Sequence, residues 1–160
     1  MWIVKLILII TFLTILYQDY KSRLVYWFLY PLAGILAFTI QTQHNSLTGS
    51  LANSAANFVV IISVIIVSYI YSRVIMKKDF INGSIGIGDI LLFLFLSLTF
   101  ATITFIVLFS FSLFFSLILH IMLKRKKTDT TVPLAGYISL FYAAVYFISF
   151  FIAPTHLYSY

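Results

Sequence analysis

The 160-residue chain contains no cysteine and no glutamate, and only 9% of its residues are charged. Without cysteine it cannot form disulfides, thiolate zinc sites, iron–sulfur clusters or a cysteine nucleophile, so its chemistry must come from other side chains. The three histidines, His44, His120 and His156, are too scattered along the chain to indicate a metal site. We therefore expect no bound metal.

The shortage of charge accompanies a large excess of apolar residues. Hydrophobic residues make up 62% of the chain and the mean hydropathy is +1.10, whereas soluble domains carry roughly 25% charged residues. The net charge of +6 does not indicate nucleic acid, because the basic residues lie between apolar runs and not on one soluble face. The composition predicts a membrane protein in contact with lipid, with residues 1–160 forming one membrane-embedded domain.

The apolar residues fall into five long runs, which are Trp2–Tyr17, Leu24–Ile40, Ala55–Met76, Ile90–Leu123 and Val132–Ala153. As a single helix the fourth run would be about 50 Å long, well beyond a hydrocarbon core of about 30 Å. We expect it to form a hairpin of two short spans with a turn near Thr99 to Thr102. The sequence thus predicts an all-α, polytopic membrane protein with six transmembrane helices.

The basic residues favour six spans. In that arrangement nine of the ten share one side of the membrane, namely Lys21, Arg23, Arg73, Lys77, Lys78, Lys124, Arg125, Lys126 and Lys127. By the positive-inside rule this side is the cytoplasm, so both termini are predicted to lie outside. The neutral segment Gln41–Asn53 is predicted to be a solvated outer loop. The expected location is the inner (cytoplasmic) membrane, crossed several times.

The chain has four carboxylate side chains, Asp19, Asp79, Asp89 and Asp129. Asp79 and Asp129 lie in basic loops, where we interpret them as solvated charges. Asp19 lies just past the end of the first run and Asp89 at the start of the fourth, and ionisable groups at such membrane boundaries are functional candidates. The six-span arrangement brings both to the same leaflet, where they could face one another.

Asp89 ends a Gly-x-Gly-Asp motif that begins at Gly86. Because Gly86 and Gly88 have no side chains, they would let a loop turn sharply into the helix and let a substrate backbone approach closely. Each aspartate also has an ordinary structural interpretation. Asp89 could cap a helix N-terminus, and Asp19 could pair with the basic residues that follow it.

A pair of neighbouring carboxyl groups has a definite chemistry. Two carboxylates within hydrogen-bonding reach cannot both ionise easily, so they share a proton and titrate as a unit. One can act as base on a water molecule while the other donates a proton to a carbonyl oxygen. This pairing is suited to hydrolysis of a peptide bond without a covalent intermediate.

The chain resembles the type IV prepilin peptidases and the related archaeal preflagellin peptidases over essentially its full length. Residues 19–23 (Asp-Tyr-Lys-Ser-Arg) are similar to the family's Asp-x-x-x-Arg signature, and residues 86–89 (Gly-Ile-Gly-Asp) to its Gly-x-Gly-Asp motif. Residues 131–136 (Thr-Val-Pro-Leu-Ala-Gly) look like its proline-containing entry to the last span. A proline also suits the first turn of any helix, so this third match carries little weight.

The resemblance implies an aspartic endopeptidase that requires neither a metal nor an organic cofactor. It implies two catalytic aspartates, Asp19 and Asp89, and four residues that shape the site or bind substrate, Gly86, Gly88, Lys21 and Arg23. The implied partner is a membrane-inserted precursor of a pilin or pseudopilin. That precursor would be cut at the cytoplasmic face, between a short leader and its hydrophobic helix.

The chain departs from the family at several positions. Leu91 stands where members often carry a lysine, and residues 24–26 replace a common Ile-Pro-Asn. The cysteine-containing methyltransferase region of the bifunctional members is missing, which implies a peptidase-only form. The alternative is a catalytically inactive relative that serves as a membrane assembly or precursor-binding factor. A small transporter or proton-conducting protein ranks third, because both aspartates lie at one interface.

Overall fold

A computed structural model describes residues 2–77, 85–123, 133–151 and 155–158 of the chain. These residues form seven α-helices, which are α1 (Trp2–Ser22), α2 (Leu29–His44), α3 (Leu47–Ile70), α4 (Ile87–Leu96), α5 (Thr102–Leu123), α6 (Leu134–Ile148) and the single turn α7 (Thr155–Tyr158). A π-helical turn, Tyr71–Met76, extends α3. Three helices, α1, α3 with its extension, and α5, are long and apolar enough to cross a membrane. The chain is an all-α membrane protein.

The short helix α4 lies in the middle of the bundle. It packs against α2, α3 and α6, and the other helices contact one another in the order α1, α2, α3, α5, α6 and back to α1. At 1.5 Å per residue, the 10 residues of α4 span only about 15 Å, half the thickness of a hydrocarbon core. Helix α4 is therefore a half-length helix that packs against three of its neighbours.

The turn that ends α4 is held by a polar side chain of α3. The Nδ2 group of Asn57 donates to the carbonyl oxygens of Ser97 and Phe100, at 3.0 and 2.9 Å. Both carbonyls lie outside regular helix, and a backbone group left unpaired inside a membrane protein is costly. Asn57 thus allows the chain to turn between α4 and α5 inside the bundle.

Helices α1 and α6 run antiparallel and are joined at both ends. Asp19, in the last turn of α1, accepts a hydrogen bond from Gly136 in the first turn of α6. At the other end the Lys5 ammonium donates to the carbonyl and hydroxyl oxygens of Ser149, at 3.1 and 3.0 Å, just after α6. We call the first end the carboxylate end and the second, which includes Tyr146, the tyrosine end.

Several predicted boundaries follow from hydrophobicity and are shifted in the structure. The run Ile90–Leu123 is divided into α4 and α5 at the predicted turn. By contrast, α1 continues past Tyr17 to Ser22, so Asp19 lies inside the helix and not beyond its end. The second helix begins at Leu29 and not at Leu24, because residues 24–28 are not helical. A polar residue does not by itself end a helix, because the backbone hydrogen bonds can continue past it, as they do in α1.

The predicted solvated loop over Gln41–Asn53 is wrong. Residues 41–44 complete α2 and residues from Leu47 onward form α3, which leaves Asn45 and Ser46 as the linker. Ser46 caps α3, since its hydroxyl accepts a hydrogen bond from the Gly49 amide at 3.1 Å. The Gln41 side chain is completely buried.

Candidate active site

Three helix ends meet at the carboxylate end of the bundle. They are the C-terminus of α1, which carries Asp19, and the N-termini of α4 and α6. The first amide groups of a helix have no partner within the helix, and the helix dipole places partial positive charge there. Two helix N-termini therefore offer free N–H groups at the place where the carboxylates lie.

Asp89 uses both of its carboxylate oxygens. It is the third residue of α4, and its Oδ2 accepts from the backbone amide of Gly86, the residue before the helix, at 3.2 Å. Its Oδ1 accepts from the amide of Ala135 in α6 at 2.8 Å. One oxygen therefore caps α4, as the capping interpretation expects, while the other binds α6.

Asp19 is bound by the next residue of α6. Its Oδ2 accepts from the Gly136 amide at 2.6 Å, a short, charge-assisted hydrogen bond, and the side chain is buried. Asp19 lies on the same face of α1 as the buried residues Leu8, Phe12 and Ile15. This face packs against α6, so the helix pairing itself directs the carboxylate inward.

The two carboxylates are joined through consecutive residues. Ala135 binds Asp89 and Gly136 binds Asp19, and the Cα atoms of neighbouring residues are only about 3.8 Å apart. The two carboxyl groups are close enough to interact electrostatically. The first turn of α6 thus gathers into one site two aspartates that are far apart in the sequence.

The glycines at this end provide space. Neither Gly86 nor Gly88 has a positive φ angle, so neither is needed for a left-handed backbone conformation. A Cβ atom at Gly88 would lie 2.6 Å from the Tyr30 hydroxyl oxygen. One at Gly136 would lie 3.1 Å from Oδ2 of Asp19. These glycines let neighbouring side chains approach the backbone.

Tyr30 is a further member of the site. It is the second residue of α2, is 2% exposed, and lies with its hydroxyl against the backbone of Gly88, next to Asp89. The hydroxyl is within electrostatic range of both Asp19 and Asp89. A phenol at this place can donate a hydrogen bond to a carboxylate, to water or to a carbonyl oxygen.

The two basic residues predicted for the site are both exposed and differ in their contacts. Arg23 follows α1 with a φ of 58° and acts electrostatically on both carboxylates. Lys21 donates to the Tyr17 hydroxyl at 3.0 Å, one turn back on the same helix. Leu91 lies where the type IV prepilin peptidases often have a lysine, and it packs against the apolar core. Lys78, Asp79, residues 124–127 and Asp129 lie outside the described residues.

Sequence reasoning missed the parts of the site that are not charged. The amide donors Ala135 and Gly136 carry no side-chain signal, and Tyr30 is one of eleven tyrosines. The available signal was Pro133, which marks the start of a helix and therefore a set of free amides. A helix start predicted at the same leaflet as two aspartates would have indicated their common partner.

The chain matches no protein-family model, no curated protein and no solved structure. Within residues 2–77, 85–123, 133–151 and 155–158, no group of three or more histidine or acidic side chains could hold a metal ion. The described site offers two buried carboxyl groups, a phenol, backbone amides and the nearby Arg23 guanidinium.

Proposed function

We propose that this protein is an intramembrane aspartic endopeptidase in which Asp19 and Asp89 activate water. The observation that carries the proposal is the binding of both carboxylates by consecutive amides, Ala135 and Gly136, at one helix N-terminus. A structural cap needs one carboxylate. Here a second carboxylate lies at the same turn, although burying two like charges together is costly. Such a pair is typical of a site in which two carboxyl groups share a proton.

The proposed reaction needs only the two carboxyl groups and one water molecule. The ionised member removes a proton from water while the oxygen attacks the scissile carbonyl carbon, and the protonated member gives its proton to the carbonyl oxygen. Collapse of the tetrahedral intermediate breaks the C–N bond, and the leaving nitrogen receives the proton taken from water. One hydroxyl of the intermediate returns its proton to the carboxylate that had donated one, which restores the singly protonated pair. Because the pair titrates as a unit, neither role is assigned to one residue.

The proposed substrate is a membrane-inserted prepilin-like precursor, whose leader is removed at the cytoplasmic face. This part of the proposal rests on the resemblance of residues 19–23 and 86–89 to the type IV prepilin peptidases. It includes six transmembrane helices in the inner membrane, with the carboxylate end at the cytoplasm and both termini outside. The basic residues of the sequence support this orientation.

The test uses the purified protein and a pilin-like precursor in lipid vesicles, with cleavage followed by mass spectrometry. Asp19→Asn and Asp89→Asn should each reduce the rate by about 10²- to 10⁴-fold, the usual contribution of a proton-transfer group. Asparagine keeps an oxygen that can accept the α6 amides, so the fold should be retained. Asp79→Asn and Asp129→Asn are the matched controls and should cleave at the wild-type rate.

Cleavage at the wild-type rate by both Asp19→Asn and Asp89→Asn would show that the catalytic assignment is wrong. A wild-type protein that binds the precursor without cutting it would instead support the alternative, an inactive relative that acts in assembly. Leu91 favours testing this alternative, because the resembling family often has a lysine there.

The proposed topology has its own measurement. Accessibility tags inserted at Lys78 and Lys126 should both report the cytoplasm, and tags at Asn45 and Tyr160 should both report the opposite side. The reason is that six spans place these two pairs of positions on different faces. Opposite reports from Lys78 and Lys126 would exclude six spans.

A further inference from the structure

Tyr30 places a neutral hydrogen-bond donor beside the two aspartates. Its side chain is 2% exposed, so the ring is held by packing and the hydroxyl has little freedom to move. The hydroxyl lies against Gly88, the residue before Asp89, and is within electrostatic range of both Asp19 and Asp89. The site therefore holds a fixed phenol next to both carboxyl groups.

The glycine at 88 makes room for the hydroxyl of Tyr30 and not for its ring. A Cβ atom at Gly88 would lie 2.6 Å from the Tyr30 oxygen, which is too close, but 3.6 Å from the ring carbon Cζ, which is an ordinary contact. A phenylalanine at position 30 would thus accept an alanine at position 88. Glycine is required opposite this ring only because the ring carries an oxygen, which indicates that the oxygen has a use.

The hydroxyl of Tyr30 has no partner inside the protein. Within the described part of the chain it makes no hydrogen bond, and the carboxylates of Asp19 and Asp89 are bound by backbone amides instead. Its oxygen is not among the fully enclosed, unpaired atoms of those residues, so a water-sized molecule can reach it. The equally buried Tyr142, at the tyrosine end, differs because its hydroxyl is paired with the Thr99 side chain. The Tyr30 donor is therefore open to a bound molecule.

The proposed reaction offers this donor two acceptors, the attacking water and the scissile carbonyl oxygen. The water must direct a lone pair at the carbonyl carbon, so a hydrogen bond donated to that water would weaken it as a nucleophile. The carbonyl oxygen has two lone pairs and gains negative charge during the attack. The protonated carboxyl group gives its proton to one lone pair, which leaves the other open to a second donor. The carbonyl oxygen is the better acceptor.

We propose that the Tyr30 hydroxyl donates a hydrogen bond to the scissile carbonyl oxygen of the substrate, most strongly in the transition state. The phenol keeps its proton throughout, because a phenolate beside two carboxyl groups would add like charge. The proton balance of the reaction is therefore unchanged. This role makes Tyr30 a third catalytic residue, and it rests on the proposed peptidase function.

Tyr30→Phe tests this role, because it removes the hydroxyl and keeps the ring. In the vesicle cleavage assay its kcat should fall about tenfold, the contribution of one ordinary hydrogen bond, and its KM should be unchanged. Tyr142→Phe is the matched control. It removes a hydroxyl that is equally buried but lies at the other end of the bundle, so it should keep the wild-type kcat.

A pair of uncleavable precursor analogues identifies the atom that Tyr30 binds. In one analogue a hydroxyethylene group replaces the scissile amide, and its hydroxyl oxygen stands for the oxygen of the tetrahedral intermediate. In the other an ethylene group replaces the amide, so this oxygen is missing. Tyr30→Phe should weaken binding of the first analogue about tenfold and leave binding of the second unchanged. Equal changes in binding of the two analogues overturn the proposal.

The kinetic results separate this role from the peptidase proposal. A wild-type kcat in Tyr30→Phe, while Asp19→Asn and Asp89→Asn are slow, overturns the role of Tyr30 alone. Recovery of the full rate by Tyr30→Phe at a shifted pH also overturns it, because the hydroxyl would then act on the carboxyl pair. A wild-type protein that cleaves no precursor overturns both.

Discussion

The two ends of the bundle are fastened by the same pair of helices but with opposite charges. At the carboxylate end Asp19 of α1 binds the N-terminus of α6, and at the tyrosine end Lys5 of α1 binds the carbonyl of Ser149 after its C-terminus. Each charge is the one that the dipole of α6 favours at that place. Asp19 and Lys5 are about four helical turns apart, so they also fix the register of the two helices.

The two ends differ in the residues that surround the hydrogen bonds between α1 and α6. At the carboxylate end glycines bring side chains close to the backbone, and a second carboxylate is added that a simple fastening does not require. At the tyrosine end the additional polar groups are neutral, and the hydroxyls of Tyr146 and Tyr158 lie next to each other. The comparison predicts that substitutions at the first end reduce activity, whereas substitutions elsewhere in the bundle reduce stability and spare the chemistry.

The largest effect beyond the aspartates is expected at Gly88. Gly88→Ala should lower the cleavage rate by about 10²-fold, because a Cβ atom 2.6 Å from the Tyr30 hydroxyl displaces a side chain next to Asp89. Tyr30→Phe removes that oxygen and leaves the ring carbon Cζ at 3.6 Å, an ordinary contact. The double variant should therefore be more active than Gly88→Ala alone.

A kinetic double-mutant cycle measures this relief. Equal rates for Gly88→Ala and the double variant would show that Gly88 does not serve to make room for Tyr30. The rate of Tyr30→Phe alone, measured across pH, separates a steric role from a direct one. A changed pH profile would show that the hydroxyl acts on the carboxyl pair.

A substitution at Asn57 should change stability and leave the chemistry unaffected. Asn57→Leu removes the donor shared by the carbonyls of Ser97 and Phe100, which should cost about 1–3 kcal/mol of unfolding free energy. Thermal unfolding in detergent measures the loss. Asn53→Leu is the control, with a smaller loss expected because Asn53 has one long contact, 3.3 Å, with Thr102. A loss of cleavage far below the unfolding midpoint would contradict the separation of the two regions.

The smallest of these effects is expected at Gly136. Gly136→Ala places a Cβ atom 3.1 Å from Oδ2 of Asp19, a contact that requires a shift of only a few tenths of an ångström. Since displacements near 1 Å can cost about 10²-fold, we expect about a tenfold loss of rate. Gly49→Ala makes an equally close contact, 3.1 Å from the Ser46 hydroxyl, and should retain the wild-type rate. Equal rates for the two variants would contradict a role for Gly136 in holding Asp19.

Much of the fold could be predicted from hydrophobicity and length. The excess length of the run Ile90–Leu123 indicated a turn, which the structure places between Leu96 and Thr102. The side chains Asp19 and Asp89 stood out because carboxylates are rare in an apolar chain. The ends of the helices were harder to predict from the sequence. Gln41 shows why, since a polar residue in a membrane protein can be either solvated or buried.

Which side of each helix faces the interior of the bundle could not be predicted from hydrophobicity. In a membrane protein the side that faces lipid is as apolar as the side that faces the core, so the buried stripe of α1, including Phe12 and Ile15, has no contrast in the sequence. The partners of the aspartates could not be predicted either. Backbone amides such as that of Ala135 are present at every residue, and only tertiary packing decides which of them point at a carboxylate.

Helix α6, which binds both aspartates, is synthesised after them, and this order affects how the site is assembled. The amides of Gly136 and Ala135 follow Asp19 and Asp89 along the chain by 117 and 46 residues. A nascent chain that has inserted α1 to α5 holds both carboxylates but not their common partner, and chains emerge N-terminus first. If the chain is the proposed peptidase, its two carboxylates are not held together until α6 enters the bilayer, and we expect the nascent chain to be inactive until then.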